Sequence, residues 1–160
     1  LLPGVVAHGT EIFEKMKLIV VGDGPERHNI ERKIKEYRIE DRIILTGYVN
    51  HKQLPKYYLS SHVFITLSYH ESFCLPLIEA AYLGKPFVVR RAFALAEHLV
   101  ISQAGYGVRR DNMQEVLNGI EYVVNNYDEL SRRARHYATN FSKRKIASTR
   151  KELYEWLLKW

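Results

Sequence analysis

Two glutamates, Glu71 and Glu79, stand with seven residues between them in the stretch Ser68-Tyr69-His70-Glu71-Ser72-Phe73-Cys74-Leu75-Pro76-Leu77-Ile78-Glu79. Ionised carboxylates only accept hydrogen bonds, so they pair naturally with hydroxyl or N–H donors of a ligand. Pro76 between them suits the first helical position, where a missing N–H costs nothing. A helix starting there offers free N–H groups and a positive dipole end, suited to a phosphate. A second candidate is the turn Gly22-Asp23-Gly24-Pro25, where glycine lets backbone approach a ligand closely. The single thiol, Cys74, has no histidine paired with it by any recognisable motif, which argues against a catalytic thiol. Seven scattered histidines without a His-Glu-x-x-His motif or a cysteine pair give no reason to expect a metal site.

The elements that must position these residues alternate. Val5 to Lys15 reads as a helix and Leu18-Ile19-Val20-Val21 as the strand that delivers the Gly-x-Gly turn. Ile30, Ile34 and Tyr37 then fall at helical spacing from Glu26 onward. Arg42 to Val49 is a second strand running out at Gly47, and Gln53 to Ser60 a helix with Leu54, Tyr57 and Tyr58 on its apolar side. Val63 to Leu67, apolar and β-branched, delivers the glutamate stretch; its helix stops at Gly84, and Pro86-Phe87-Val88-Val89 starts the next strand. Ala92 to Val100 reads as a short helix and Gly105 to Val108 as a late strand. Three helices close the chain: Met113 to Asn125 behind an Asp111-Asn112 cap, Tyr127 to Asn140, and Ser142 to Trp160 with Ser142 as N-cap. The last carries Ile146, Leu153, Trp156, Leu157 and Trp160 on one apolar face. This alternation predicts an α/β fold, Rossmann-like and three-layered (α/β/α), with a parallel sheet covered on both faces. Both the Gly-x-Gly turn and the glutamate pair then fall at carboxyl ends of strands, the edge where such sheets bind ligands.

The 160 residues predict one domain, 1–160, with 46% hydrophobic and 26% charged residues. No apolar run approaches the roughly 18–20 residues of a membrane span, and no signal peptide is visible. The opening Leu1-Leu2-Pro3-Gly4 suggests a piece of a longer protein. One cysteine precludes an internal disulfide and fits a reducing, cytoplasmic compartment. The formal charge is +6, with much of the excess in Arg132, Arg133, Arg135, Lys143, Arg144, Lys145, Arg150 and Lys151. These basic helices could meet anionic lipid at the inner membrane face or be a solvated surface, since Asp128, Glu129, Glu152 and Glu155 are interleaved. No nucleic-acid motif accompanies them.

The stretch Glu71, Phe73, Leu75-Pro76, Glu79, followed by Gly84-Lys85-Pro86, resembles the donor-site motif of retaining GT-B glycosyltransferases of the family-4 type. There, two glutamates separated by seven residues enclose a Gly-Phe-Gly-Leu-Pro-like turn. Gly22-Asp23-Gly24-Pro25 and the apolar strand ending at Gly47 match the same family, as does Gly105-Tyr106-Gly107-Val108. The resemblance, covering about Leu18 to the end, implies the carboxyl-terminal donor half of a GT-B enzyme, its amino-terminal acceptor domain lying outside this chain. It implies a hexosyl transfer from a UDP-, GDP- or ADP-linked sugar to a glycan, lipid or small acceptor, without a bound metal ion or further cofactor. Glu79 would meet the ribose hydroxyls and Glu71 the donor sugar beside the reacting carbon. Backbone groups of Phe73, Cys74 and Leu75 and of Gly22, Asp23 and Gly24 would approach the diphosphate. Tyr48 and Val49 would line the base, an alternative for Tyr48 being a cap on the core.

Two departures stand out. Cys74 replaces the family's glycine after Phe, and Arg90-Arg91-Ala92-Phe93 replaces a Gly-Gly loop before Glu97. The family's diphosphate-gripping Arg and Lys would precede Leu1, so this fragment should bind donor but not turn over alone. Two rival readings are a non-catalytic nucleotide-binding or interaction module that kept the fold, and a nucleotide-sugar epimerase on a related scaffold.

Overall fold

Short β-branched runs and amphipathic helices alternate in the computed structural model, which describes residues 2–8, 16–109 and 112–158. Helix α1 (Leu2–His8) precedes β1 (Leu18–Val20), α2 (Arg27–Tyr37) and β2 (Ile43–Leu45). A 3-10 turn (His51–Gln53) runs into α3 (Leu54–Ser60). Then follow β3 (Phe64–Thr66), α4 (Leu75–Tyr82), β4 (Phe87–Arg90), α5 (Phe93–Ser102) and β5 (Gly105–Val108). Helices α6 (Met113–Asn125), α7 (Tyr127–Ala138) and, after a second 3-10 turn, α8 (Lys143–Leu157) complete the order. The expected helix beyond His8 falls on residues 9–15, outside the described residues, as do Asp111 and Trp160.

All three ladders are parallel, as alternation with helices requires. β1 pairs β2 with Leu18 opposite Ile43. β4 lies between β3 and β5, with Phe64 opposite Phe87 and Phe87 opposite Gly105. Hydrogen bonding therefore divides the strands into a pair and a triplet rather than one continuous sheet, and among the described residues no ladder joins β1 to β3.

β4 is buried along its whole length, and its alternation sorts the cores. Phe87 and Val89 face Leu77, Ile78 and Ala81 of α4, Leu95 of α5 and Ala134 and Tyr137 of α7. Val88 faces the opposite layer, where Val116, Ile120 and Val123 of α6 meet Val5 of α1 and Val108 of β5. A third core joins Val6, Ile34, Ile39 and Ile43 under β1 and β2. Complete burial of each such side chain contributes about 1.5–3 kcal/mol, so β4 and its two covering layers anchor the loop that leaves β3. Gly105 is required by the close β4–β5 approach: a Cβ there would lie 2.0 Å from the Phe87 carbonyl oxygen.

Several element ends are set by side chains. Asn112 caps α6 through the Gln114 amide (2.8 Å), and Ser142 caps α8 through the Lys145 amide (3.3 Å). α4 ends where Gly84 takes φ +73° and the Lys85 amide returns to the Ala80 carbonyl (2.9 Å), the left-handed helix stop that favours glycine. α8 buries no residue; Ile146, Leu153, Trp156 and Leu157 are exposed. No helix among the described residues is long and apolar enough to cross a membrane.

Candidate functional site

The loop between β3 and α4 is held from below and from the side. Buried Arg90, at the end of β4, donates from Nε to the Leu67 carbonyl (3.0 Å) and lays its guanidinium over the Tyr69 ring, 3.7 Å from the centroid. Arg90 thus secures the exit of β3, while Arg91 is exposed. Further along, the Phe73 ring packs edge-on against His98 (5.4 Å) and Phe141 (5.5 Å). Buried His98 of α5 donates from Nε2 to the Phe73 carbonyl, and its Nδ1 accepts from the Tyr137 hydroxyl at 2.6 Å. The carbonyl can only accept, which places the imidazole proton on Nε2.

With the Phe73 carbonyl turned toward His98, the trans peptide plane points the Cys74 N–H the opposite way. Cys74 itself is buried and left-handed, φ 60° and ψ 66°, immediately before α4. A glycine-like backbone therefore survives without glycine, at a cost of about 1–2 kcal/mol. Helix α4 begins at Leu75, so Pro76 occupies the second helical position rather than the first, still within the turn whose N–H groups have no helical partner. The first helical hydrogen bond here runs from the Leu77 amide to the Cys74 carbonyl (3.0 Å). Among the described residues neither the Cys74 nor the Leu75 amide has a partner, which leaves two donors at the positive end of α4.

The two glutamates frame this turn differently. Glu71 is partly buried near Cys74 and makes no hydrogen bond with the described residues. Glu79, on the second turn of α4, is held on both oxygens: the Tyr58 hydroxyl donates to Oε2 at 2.9 Å, and His51 Nε2 lies 3.0 Å from Oε1. His51 follows Gly47-Tyr48-Val49-Asn50, so this contact ties the loop after β2 to the helix after β3. Tyr48 is 83% exposed, which rules out its alternative role as a core cap, and Val49 is partly buried. Gly22, φ +122°, donates its amide to the Gly47 carbonyl at 3.0 Å, joining the loops after β1 and β2. Asp23 turns back onto the Gly24 amide (2.9 Å) and faces Arg27 at 3.8 Å.

Burial, reinforced by the Glu79 carboxylate, pushes the Tyr58 hydroxyl well above its ordinary range. Burial also raises the Cys74 thiol, with Glu71 adding to it against a hydrogen bond from the Leu77 amide. Both effects disfavour the thiolate a nucleophile would need. Tyr137 is likewise raised by burial and then by Glu97. Among the described residues no three His, Cys, Asp or Glu side chains converge to hold a metal ion.

Sequence reasoning misses the supporting roles of His51, Tyr58, His98, Tyr137 and Arg90. No local signal marks these roles, because the hydrogen bonds that create them span 21 to 39 residues of chain. His70, beside Glu71, is exposed and leans its ring on Phe93 (5.3 Å).

Residues 6–141 match the family model described as glycosyl transferases group 1. One subunit of the human phosphatidylinositol N-acetylglucosaminyltransferase is 30% identical over 99 residues, 62% of this chain and 20% of that protein. Sucrose-phosphate synthase from Thermosynechococcus elongatus superposes with a TM-score of 0.81 at 25% identity, over 99% of this chain and 41% of that one. A pneumococcal O-GlcNAc transferase in complex with UDP and GlcNAc also superposes, with a TM-score of 0.81 at 23% identity, over 98% of this chain and 32% of that one. The chain thus spans a fifth to two fifths of these proteins.

Proposed function

Because the chain belongs to the glycosyl transferases group 1 family, we propose that it is the donor-nucleotide domain of a retaining glycosyltransferase. The whole protein would transfer a hexosyl group from an NDP-sugar to a glycan, lipid or small acceptor. Its fold is the Rossmann-like α/β half of the GT-B architecture.

One observation carries the reading. The two unpartnered amides of Cys74 and Leu75 open α4 between an unbonded carboxylate, Glu71, and an oriented one, Glu79. A carboxylate has about four lone-pair sites, so Glu79 keeps two after its bonds to Tyr58 and His51 and can accept a pair of ribose hydroxyls. Glu71 would accept donor-sugar hydroxyls and orient the reacting carbon. As the glycosidic bond to the diphosphate breaks, negative charge grows on the departing phosphate. Preorganised amides at a helix start stabilise such charge without reorganising. Gly22 to Gly24 would bring backbone to the same anion, and exposed Tyr48 with Val49 would cover the base. The donor-site reading requires no metal ion.

UDP is the first nucleotide to try, since it is bound in the pneumococcal relative. Titration calorimetry with UDP, GDP and ADP, repeated on Glu79→Ala, tests the assignment. One nucleotide should bind selectively, and the variant should lose tenfold or more in affinity, the effect of about 1.5–3 kcal/mol for hydrogen bonds to a charged group. An unaffected Glu79→Ala refutes the ribose role; equal binding of all three refutes a base-selective site, and no binding refutes the expectation that this fragment holds the donor by itself.

A further inference from the structure

Tyr58 and His51 reach Glu79 from two different elements, α3 and the 3-10 turn before it, and each takes a different carboxylate oxygen. Resting on the ribose role of Glu79, we propose that Tyr58 and His51 are positioning residues that clamp its carboxylate and thereby set discrimination between ribose and deoxyribose nucleotides.

The chemistry of the clamp follows from the donors. A glutamate on a helix surface samples several rotamers, and fixing one before the ligand arrives removes that entropy from the binding step. Tyr58 is anchored by its ring, which lies against Phe64 of β3 at 6.4 Å, so its hydroxyl is a rigid donor. Its phenol keeps the proton at physiological pH, so it remains a donor to Oε2 at 2.9 Å. His51 differs: its side chain is 81% exposed while that of Glu79 is 32% exposed. It is aimed by backbone, because Asn50 caps the short turn by accepting from the Lys52 amide at 3.0 Å. The clamp therefore joins the loop after β2 to the helix after β3, and the base-lining segment and the ribose acceptor are held in one register. One lone-pair site remains on each oxygen, matching two neighbouring hydroxyls.

The test measures affinity for the nucleotide that the parent binds and for its dideoxy analogue, which lacks both ribose hydroxyls. The parent should prefer the ribose form, and Glu79→Ala should lose the preference. Tyr58→Phe, which keeps the ring on Phe64, and His51→Ala, at an exposed position, should each cut ribose-form affinity about three- to tenfold. Both should leave the dideoxy analogue unchanged. His51→Gln, which retains an N–H donor, should recover part of the loss. A general structural defect would weaken both ligands alike, and that result overturns the clamp. So does full retention of the preference in Tyr58→Phe and His51→Ala when Glu79→Ala has lost it, or tighter binding by His51→Ala. If Glu79→Ala itself keeps the preference, the ribose role fails instead.

Discussion

Replacing Cys74 by alanine and, separately, by glycine isolates the backbone strain at the turn that opens α4. Both variants lose the buried thiol, so their difference reports the left-handed conformation, φ 60° and ψ 66°. A Cβ in that region costs about 1–2 kcal/mol. Against it, glycine makes the unfolded chain more flexible, which disfavours folding by about 0.4–1 kcal/mol. The balance leaves Cys74→Gly more stable than Cys74→Ala by about 1 kcal/mol, the reverse of the usual order of these residues. In a domain of this size that is a Tm difference of about 2–4 °C. Thermal and urea unfolding followed by circular dichroism measure it directly. If the alanine variant is as stable as the glycine variant or more so, the positive φ is not held in solution. The partnerless amides that depend on it then lose their placement.

Gly105→Ala should be far more damaging, because its Cβ would sit 2.0 Å from the backbone Phe87 oxygen; we expect a loss of at least about 3 kcal/mol or no folded protein, read by urea unfolding. Stability should also fall at alkaline pH. The raised Tyr58, Tyr137 and Cys74 groups bind protons more tightly folded than unfolded, so their contribution is complete at neutral pH. It is lost as pH rises past the unfolded thiol and phenol values of 9.0 and 10.0. Lys85, lowered by burial and then by Arg135, works in the opposite sense, its cost being relieved as pH climbs toward its unfolded value. Unfolding free energies from pH 7 to 11 should decline less steeply in Tyr58→Phe than in the parent; an identical decline would contradict the protonated phenol.

Much of the fold was legible because its signals are local. Met113 to Asn125 matches α6 at both ends, since a capping asparagine and a strong amphipathic period mark it. Gly84 stops α4 as expected. Strand ends were overextended: Arg42 to Val49 shrinks to Ile43–Leu45, because beyond Leu45 the chain leaves the ladder and Gly47 makes only an isolated bridge to Gly22. Tyr127 to Asn140 loses its last residues to a 3-10 turn. The division of the strands into a pair and a triplet was not legible, because lateral pairing of parallel strands depends on contacts distant in sequence. The acids and the turn of the candidate site were visible as a motif. What supports them was not: His98 is an unremarkable helix residue until it meets the Phe73 carbonyl, and Arg90 reads as an intrusion until its place beneath Tyr69 is seen. Cys74 departs from glycine in sequence, yet the backbone takes the glycine conformation around it.

Helix α1 has a role out of proportion to its seven residues. Val5 and Val6, adjacent in sequence, point about 100° apart around the helix. Val5 enters the core over β4 and β5, and Val6 the core under β1 and β2. With no ladder among the described residues joining the pair of strands to the triplet, this helix and the Glu79–His51 contact are two of the links between them. A fluctuation that undocks α1 would expose apolar surface on both sides at once, which makes it costly. It would also let the loops after β1 and β2 drift relative to α4. The register of the candidate nucleotide site is in this sense also a property of a helix outside it.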